Sequence, residues 1–212
     1  MTSDFQQSRE RMVDLIASRG VGDERVLAAM REVPRENFVP PHMQDLAHED
    51  APLSIGEGQT ISQPTIVAMM IEAAGLGPAS KVLEVGAGSG YVVAVLSRIA
   101  GKVYGIERHR SLGEAAAERL ERLGYGNAQI RVGDGSKGWA EAAPFDAIVV
   151  SAAAARVPEV LRRQLAIGGR LIVPVDESMA GQALKRITRR GEDDFEVEIL
   201  AKVQFVPLIA EG

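Results

Sequence analysis

Apolar positions recur at helical spacing over the first third of the chain and at strand spacing over most of the rest. In residues 4–19, Phe5, Met12, Leu15 and Ile16 share one face and Gly20 stops the run, which predicts an amphipathic helix. Residues 23–33 set Val26, Leu27, Met30 and Val33 on a second stripe. Pro34 ends it, because the residue before a proline is pushed out of the helical region. Pro40-Pro41 breaks the chain before a short polar helix at 42–48. Residues 50–62 carry two glycines and a proline with no clear period. They read as a long loop, and such loops inside a compact domain are usually functional or disordered. Pro64 then opens an apolar helix to residue 74, since proline suits a first helical turn.

From residue 80 the pattern alternates. Short apolar runs predict strands at 81–85, 102–106, 128–132, 145–150 and 170–174, with helices at 91–100, 112–123 and 158–165 between them. Ser111 and Glu114 have the spacing of a capping box for the second of these helices. The stretch 91–100 is rich in valine and isoleucine, which favour strands. It is read as helix because two parallel strands require a crossover there. Residues 183–190 and 195–205 flank Gly191-Glu192-Asp193-Asp194 and predict an antiparallel hairpin at one sheet edge. The expected fold is α/β: one domain with a doubly wound, mostly parallel sheet. Helices and a loop occupy 1–75, the sheet core 76–175 and C-terminal strands 176–212.

Composition narrows the function. Of 212 residues, 46% are hydrophobic, enough for a large core, yet no apolar run approaches the roughly 18 residues of a membrane span. The first ten residues are polar and charged, unlike a signal peptide. With no cysteine, disulfides, thiolate metal sites and thiol nucleophiles are excluded. The formal net charge is −5, and no basic stripe marks a nucleic-acid partner. Arg162-Arg163 and Arg189-Arg190 read as solvated pairs. A cytoplasmic monomer is the expectation.

The chemistry gathers around Val82-Leu83-Glu84-Val85-Gly86-Ala87-Gly88-Ser89-Gly90-Tyr91. A strand, a glycine turn and a helix form the usual opening of a nucleotide-type site, where ligand approaches bare backbone. Tyr91 occupies the place a dinucleotide fingerprint reserves for its last glycine, so the stretch points to a nucleoside cofactor. Ligands in such sheets bind beyond the carboxyl ends of the strands. Glu84 lies just inside the first such end, suited to a ligand ammonium or water, or else to an internal salt bridge. Glu107 follows the second, placed to accept from both ribose hydroxyls. Asp134, in Gly133-Asp134-Gly135, follows the third and suits an adenine amino group, though a plain turn explains it too. Ser151-Ala152-Ala153-Ala154 follows the fourth and leaves room. His42, His48 and His109 are scattered and read as surface residues. No metal-ligating cluster stands out. Together these positions describe an adenosine cofactor without a phosphate clamp, which S-adenosyl-L-methionine satisfies.

Further stretches fit one family. They include Pro34-Arg35, Phe38-Val39-Pro40 and Pro52-Leu53, then Gly58-Gln59-Thr60-Ile61-Ser62-Gln63-Pro64. Gly138-Trp139, Ala143-Pro144-Phe145-Asp146, Gly168-Gly169-Arg170-Leu171 and Phe205-Val206-Pro207-Leu208 complete the set. Nearly the whole chain resembles the protein-L-isoaspartate O-methyltransferases, and Gly58 to Pro64 is the specific part. The resemblance implies a class I S-adenosylmethionine-dependent fold and methyl esterification of the free α-carboxylate of isoaspartyl residues, and of D-aspartyl ones, in damaged proteins and peptides. The ester then closes to a succinimide, which hydrolyses in part to normal aspartate. It implies Ser62 as the active-site residue, orienting the acceptor. Thr60, Ile61, Glu84, Gly86, Gly88, Ser89, Gly90, Tyr91, Glu107, Asp134, Gly135 and Ser151 are implied to hold the cofactor. From the residues alone, Ser62 reads as a helix-entry serine. The chain departs from the family pattern at His48 (tyrosine), Ser54 (proline), Ser151 (threonine) and Gln204 (arginine). Two alternatives stand beside this reading: a methyltransferase of the same fold acting on a small-molecule or RNA acceptor, and a non-catalytic cofactor-binding protein.

Overall fold

The computed structural model describes residues 2–177 and 181–209. Helices α1 (Thr2–Ser18), α2 (Glu24–Glu32) and α3 (Pro64–Ala74) precede the alternating region. That region runs β3 (Lys81–Val85), α4 (Tyr91–Ser97), β4 (Lys102–Glu107), α5 (Arg110–Arg122), β5 (Ala128–Val132), β6 (Phe145–Val150), α6 (Glu159–Arg163) and β7 (Leu165–Asp176). Strands β8 (Gln182–Arg189) and β9 (Phe195–Val203) end the order.

The seven-stranded sheet has the order β5-β4-β3-β6-β7-β8-β9. Its first five strands are parallel, and β8 and β9 each run antiparallel to the neighbour before them. The chain winds outward from β3 to β5, then returns to lay β6 on the other side of β3. The carboxyl end of β3 is therefore the point where the winding reverses and a crevice opens. Strand β3 is buried from Val82 to Val85, Glu84 included, because both its faces are covered. Val82 packs into a core shared with α1 to α4, and Leu83 and Val85 into a second core with Trp139, Phe145 and Leu161. Helix α4 is buried at every position, pressed between the sheet and the N-terminal helices. Burial of all faces overrides its low helix propensity.

Several sequence expectations are corrected. Residues 50–62 are not a featureless loop, since β1 (Leu53–Gly56) and β2 (Gln59–Ile61) pair as an antiparallel hairpin. Its turn holds Glu57 at φ 51 between Gly56 and Gly58. A glutamate at positive φ carries no turn signal, and strands this short show no period. The capping box fails as well. Helix α5 starts at Arg110 without a side-chain cap. The Ser111 hydroxyl donates instead to Glu57 Oε1 at 2.7 Å, and Glu114 pairs with Arg110 at 3.0 Å. In α1 the buried face is Met12, Val13 and Ile16, while Leu15 is 39% exposed. Arg189 is not a solvated cation: its guanidinium donates to the carbonyls of Arg163, Leu165, Gly191 and Glu192 and ties the β8–β9 turn to β7. His48 is buried too. Its Nε2 lies 3.2 Å from Glu36 Oε2, and Glu36 also bonds Arg9 at 2.7 Å.

Candidate active site

The turn after β3 is built by glycines in positive φ, at 86° for Gly86, 53° for Gly88 and 87° for Gly90. Ile55 of the hairpin lies 3.2 Å from where a Cβ on Gly88 would stand. The hairpin thus covers the turn, and the Glu57–Ser111 hydrogen bond fastens its tip to α5. Beneath it a cavity is lined by Gln59, Gly86, Gly88, Glu107, Gly135 and the segment Val206 to Ile209, among others. That segment is held there by backbone hydrogen bonds, Ala153 N–H to Val206 O and Leu208 N–H to Ala153 O, both 2.7 Å. The small residues after β6 leave room for this returning chain.

Glu107 is 5% exposed at the end of β4. Its Oε2 accepts from Gly88 N–H at 2.8 Å and its Oε1 from His109 N–H at 2.9 Å. Two backbone donors orient this carboxylate toward the cavity, and each oxygen keeps a lone pair for a ligand hydroxyl. Asp134 is placed differently. Its Oδ1 accepts from the Ser136 N–H and hydroxyl at 2.9 and 2.7 Å, and it caps the turn Gly135–Lys137. Gly135, not the Asp134 side chain, lines the cavity wall.

A channel continues from the cavity past Ser62, Glu84, Ser89, Tyr91 and Ser151. Glu84 is 1% exposed and has no ion pair among the described residues, which removes the salt-bridge alternative. Its Oε1 accepts from the Ser151 hydroxyl at 2.7 Å, and its Oε2 has no hydrogen-bond partner. Burial pushes this carboxyl up to about 8, the Ser151 bond opposes the shift, and the Glu107 charge adds to it. Between about 4.5 and 8 the folded chain keeps a proton that the unfolded chain has lost, so stability falls through that window and levels off above it. Melting of the ligand-free protein at several pH values checks this. Glu84→Gln should flatten that decline and melt higher than the native chain above pH ~8; an unchanged slope would sink the assignment.

Beyond the channel lies an open cleft walled by Pro52, Gln63, Ile66, Lys202, Gln204 and Phe205. Thr60, Ser62 and Ser151 line both channel and cleft. Thr60 and Ser62 are two apart at the end of β2 and so project to one side, while Ile61 between them is buried in the core at 5%. Ser62 is not a helix cap, because the N-cap of α3 is Gln63, without a side-chain bond. Asp50 stabilises that helix start instead, accepting from Gln63 Nε2 and from the Thr65 N–H and hydroxyl, each at 2.9 Å. Of the four departures, Ser151 keeps its hydroxyl in use, Gln204 faces the cleft, Ser54 is exposed on β1 opposite Thr60, and His48 lies buried behind the loop. Sequence reasoning missed Arg35, Asp50 and the Val206 to Ile209 wall. Nothing along the chain marked Arg35, which has Glu32 three residues before it and Glu36 beside it and so reads as an ordinary ion-pairing surface cation.

A doubly wound sheet whose reversal point carries a bare glycine turn, a buried carboxylate held by two backbone donors and a second with an unpartnered oxygen fits one class, the S-adenosylmethionine-dependent methyltransferases. The comparisons narrow it. The model of the protein-L-isoaspartate(D-aspartate) O-methyltransferase family matches residues 6–212, and the chain belongs to that family. It is 57% identical over 208 residues, 98% of this chain and 85% of the other, to protein-L-isoaspartate O-methyltransferase 1 of Rhodopseudomonas palustris strain HaA2. It is 53% identical over 206 residues, 97% and 94% of the two chains, to the Roseiflexus castenholzii protein-L-isoaspartate O-methyltransferase. Among solved structures, the Plasmodium falciparum protein-L-isoaspartate O-methyltransferase in complex with S-adenosyl-L-homocysteine superposes with a TM-score of 0.82 at 28% identity, covering 95% of this chain and 98% of that one.

Proposed function

We infer that the described residues methylate the isoaspartyl α-carboxylate with S-adenosylmethionine held in the cavity and channel and the acceptor peptide in the cleft. The observation that carries this is the position of Ser62 on the boundary between the two spaces. Glu107 is the ribose ligand. Glu84 receives the amino group with its free Oε2, aided by Ser151. Gly86, Gly88, Ser89 and Tyr91 form the channel floor, Thr60 and Ile61 its hairpin side, and Gly135 the wall beside the base, while Gly90, packed against Ala116 and Leu120, acts through the shape of the turn. Asp134 keeps a share in adenine recognition through the turn it caps.

When bound, the cofactor supplies an electrophilic methyl group on a sulfonium. A peptide α-carboxylate is ionised at neutral pH, and the reaction makes one O–C bond and breaks one S–C bond with no proton to move. The site therefore needs no general base, consistent with the hydroxyl-lined boundary. The Ser62 hydroxyl makes no hydrogen bond among the described residues, so it is free to donate to one acceptor oxygen and leave the other aligned for attack.

The 212 residues act as a single domain in this reading, with 1–75 supplying the acceptor side, 76–175 the cofactor side and 176–212 the outer wall. A monomer is part of the proposal. The acidic net charge argues against a nucleic-acid partner, and the lack of cysteine fits a reducing cytoplasm. No helix among the described residues is long and apolar enough to cross a membrane. Crystals grown with S-adenosyl-L-homocysteine and an isoaspartyl peptide test the placement. Ribose hydroxyls on Glu107 and the α-carboxylate on Ser62 are expected, and an acceptor seated away from Ser62 would overturn it.

A further inference from the structure

Arg35 has a setting that packing alone does not explain. It stands at the start of the 3-10 turn Arg35–Phe38, is completely buried, and faces no carboxylate among the described residues. Burial lowers its pKa, with the neighbouring Tyr91 acting against the shift. Its Nε donates to Ala47 O at 2.8 Å and its Nη2 to Ser62 O at 2.9 Å. Its guanidinium carbon lies 4.7 Å from the centre of the Tyr91 ring. Nη1 and the Tyr91 hydroxyl make no hydrogen bond of good geometry, and their mutual interaction, which favours the charged guanidinium, is the weak one of the set. A buried cation with an unused donor is expensive, and apolar residues of like volume commonly replace such groups at no loss of stability.

The three contacts join three parts of the site. Ala47 precedes Asp50, which grips Gln63 and Thr65. Ser62 stands at the channel boundary. Tyr91 is the first residue of α4, directly after the glycine turn. The Ser62 carbonyl is thus fixed from one side by Arg35, and the residues after it from the other by Asp50. Through Tyr91, the Arg35 clamp is referred to the helix that follows the cofactor turn. We propose that Arg35 is a positioning residue, which sets the Ser62 backbone relative to the glycine turn so that the serine hydroxyl meets the acceptor carboxylate in line with the transferable methyl. The guanidinium suits this task because its fork reaches two carbonyls while its flat face rests on a ring. This rests on the reading of Ser62 as the acceptor-orienting residue.

The test is a double-mutant cycle with Arg35→Met, Ser62→Ala and the pair, scored for methylation of an isoaspartyl peptide and for S-adenosyl-L-homocysteine binding by calorimetry. Arg35→Met should lower kcat by about 10- to 100-fold, the range expected when a reacting group is misplaced, and leave the cofactor dissociation constant within about threefold. The pair should be no slower than Ser62→Ala alone, because both changes remove one function. Arg35→Lys retains the charge but not the two-carbonyl fork, so it should restore little of the lost kcat; it also serves as the probe if the methionine variant does not fold. Native kcat in a folded Arg35 variant, or losses that multiply in the pair, would overturn the proposal. If Ser62→Ala alone is as active as the native chain, the reading of Ser62 fails instead, and the two failures are distinguishable.

Discussion

Replacing Ser62 with alanine should cut kcat for an isoaspartyl peptide by about 10- to 100-fold. A hydrogen bond to an ionised group contributes ~1.5–3 kcal/mol, which corresponds to a rate factor of that size. Ser62 touches no group that holds the fold through its side chain, and its carbonyl bond to Arg35 survives the substitution. The variant should therefore melt like the native chain and bind S-adenosyl-L-homocysteine with nearly native affinity. Loss of kcat with cofactor binding retained is the pattern of a residue that aligns the acceptor. Cofactor affinity lost in proportion to rate would instead place Ser62 in the cofactor site, and native kcat would remove it from the reaction.

The second large effect belongs to Glu107. Changing it to alanine removes the acceptor for the Gly88 and His109 N–H groups and the expected ribose bonds together. Cofactor affinity should fall by 100-fold or more, roughly the 3 kcal/mol of two charge-assisted hydrogen bonds. The melting temperature should fall too, because buried backbone donors lose their partner. Glu107→Gln should lie between, since an amide oxygen still accepts on one side. Calorimetric titration with S-adenosyl-L-homocysteine measures this. An alanine variant within about threefold of native affinity would show that the ribose is held elsewhere.

The parallel core was legible in the sequence because its physics is local. Val82, Leu83 and Val85 give an apolar strand interrupted by Glu84, three glycines turn it, and each later strand repeats the plan with an acid or small residues at its end. Glu84 and Glu107 could be placed for the same reason: fold topology fixes what stands at a strand end. What could not be read depends on contacts between distant segments. The hairpin of Leu53–Gly56 and Gln59–Ile61 is too short to show a period, and it exists because the cavity roof and Ser111 receive it. Asp50 serves as the cap of α3 from outside that helix, so no capping pattern near Pro64 announced it. His48 looked like a surface residue until Glu36 and Phe5 closed around it. Arg35 and the Val206 to Ile209 wall act across tens of residues, and spacing along the chain carries no trace of such pairings. Ser62 is the instructive case. Its local surroundings suggested a helix cap, the family likeness suggested the acceptor site, and its position between channel and cleft supports the second.

The central claim is that this cleft presents an isoaspartyl carboxylate, and not an ordinary aspartyl one, to the cofactor. Labelled S-adenosyl-L-methionine offered with an isoaspartyl peptide and, separately, its aspartyl twin of the same sequence tests it most directly. The account predicts base-labile methyl label on the isoaspartyl peptide alone. Equal labelling of the two, or none on either while a small molecule or RNA is methylated, would contradict it.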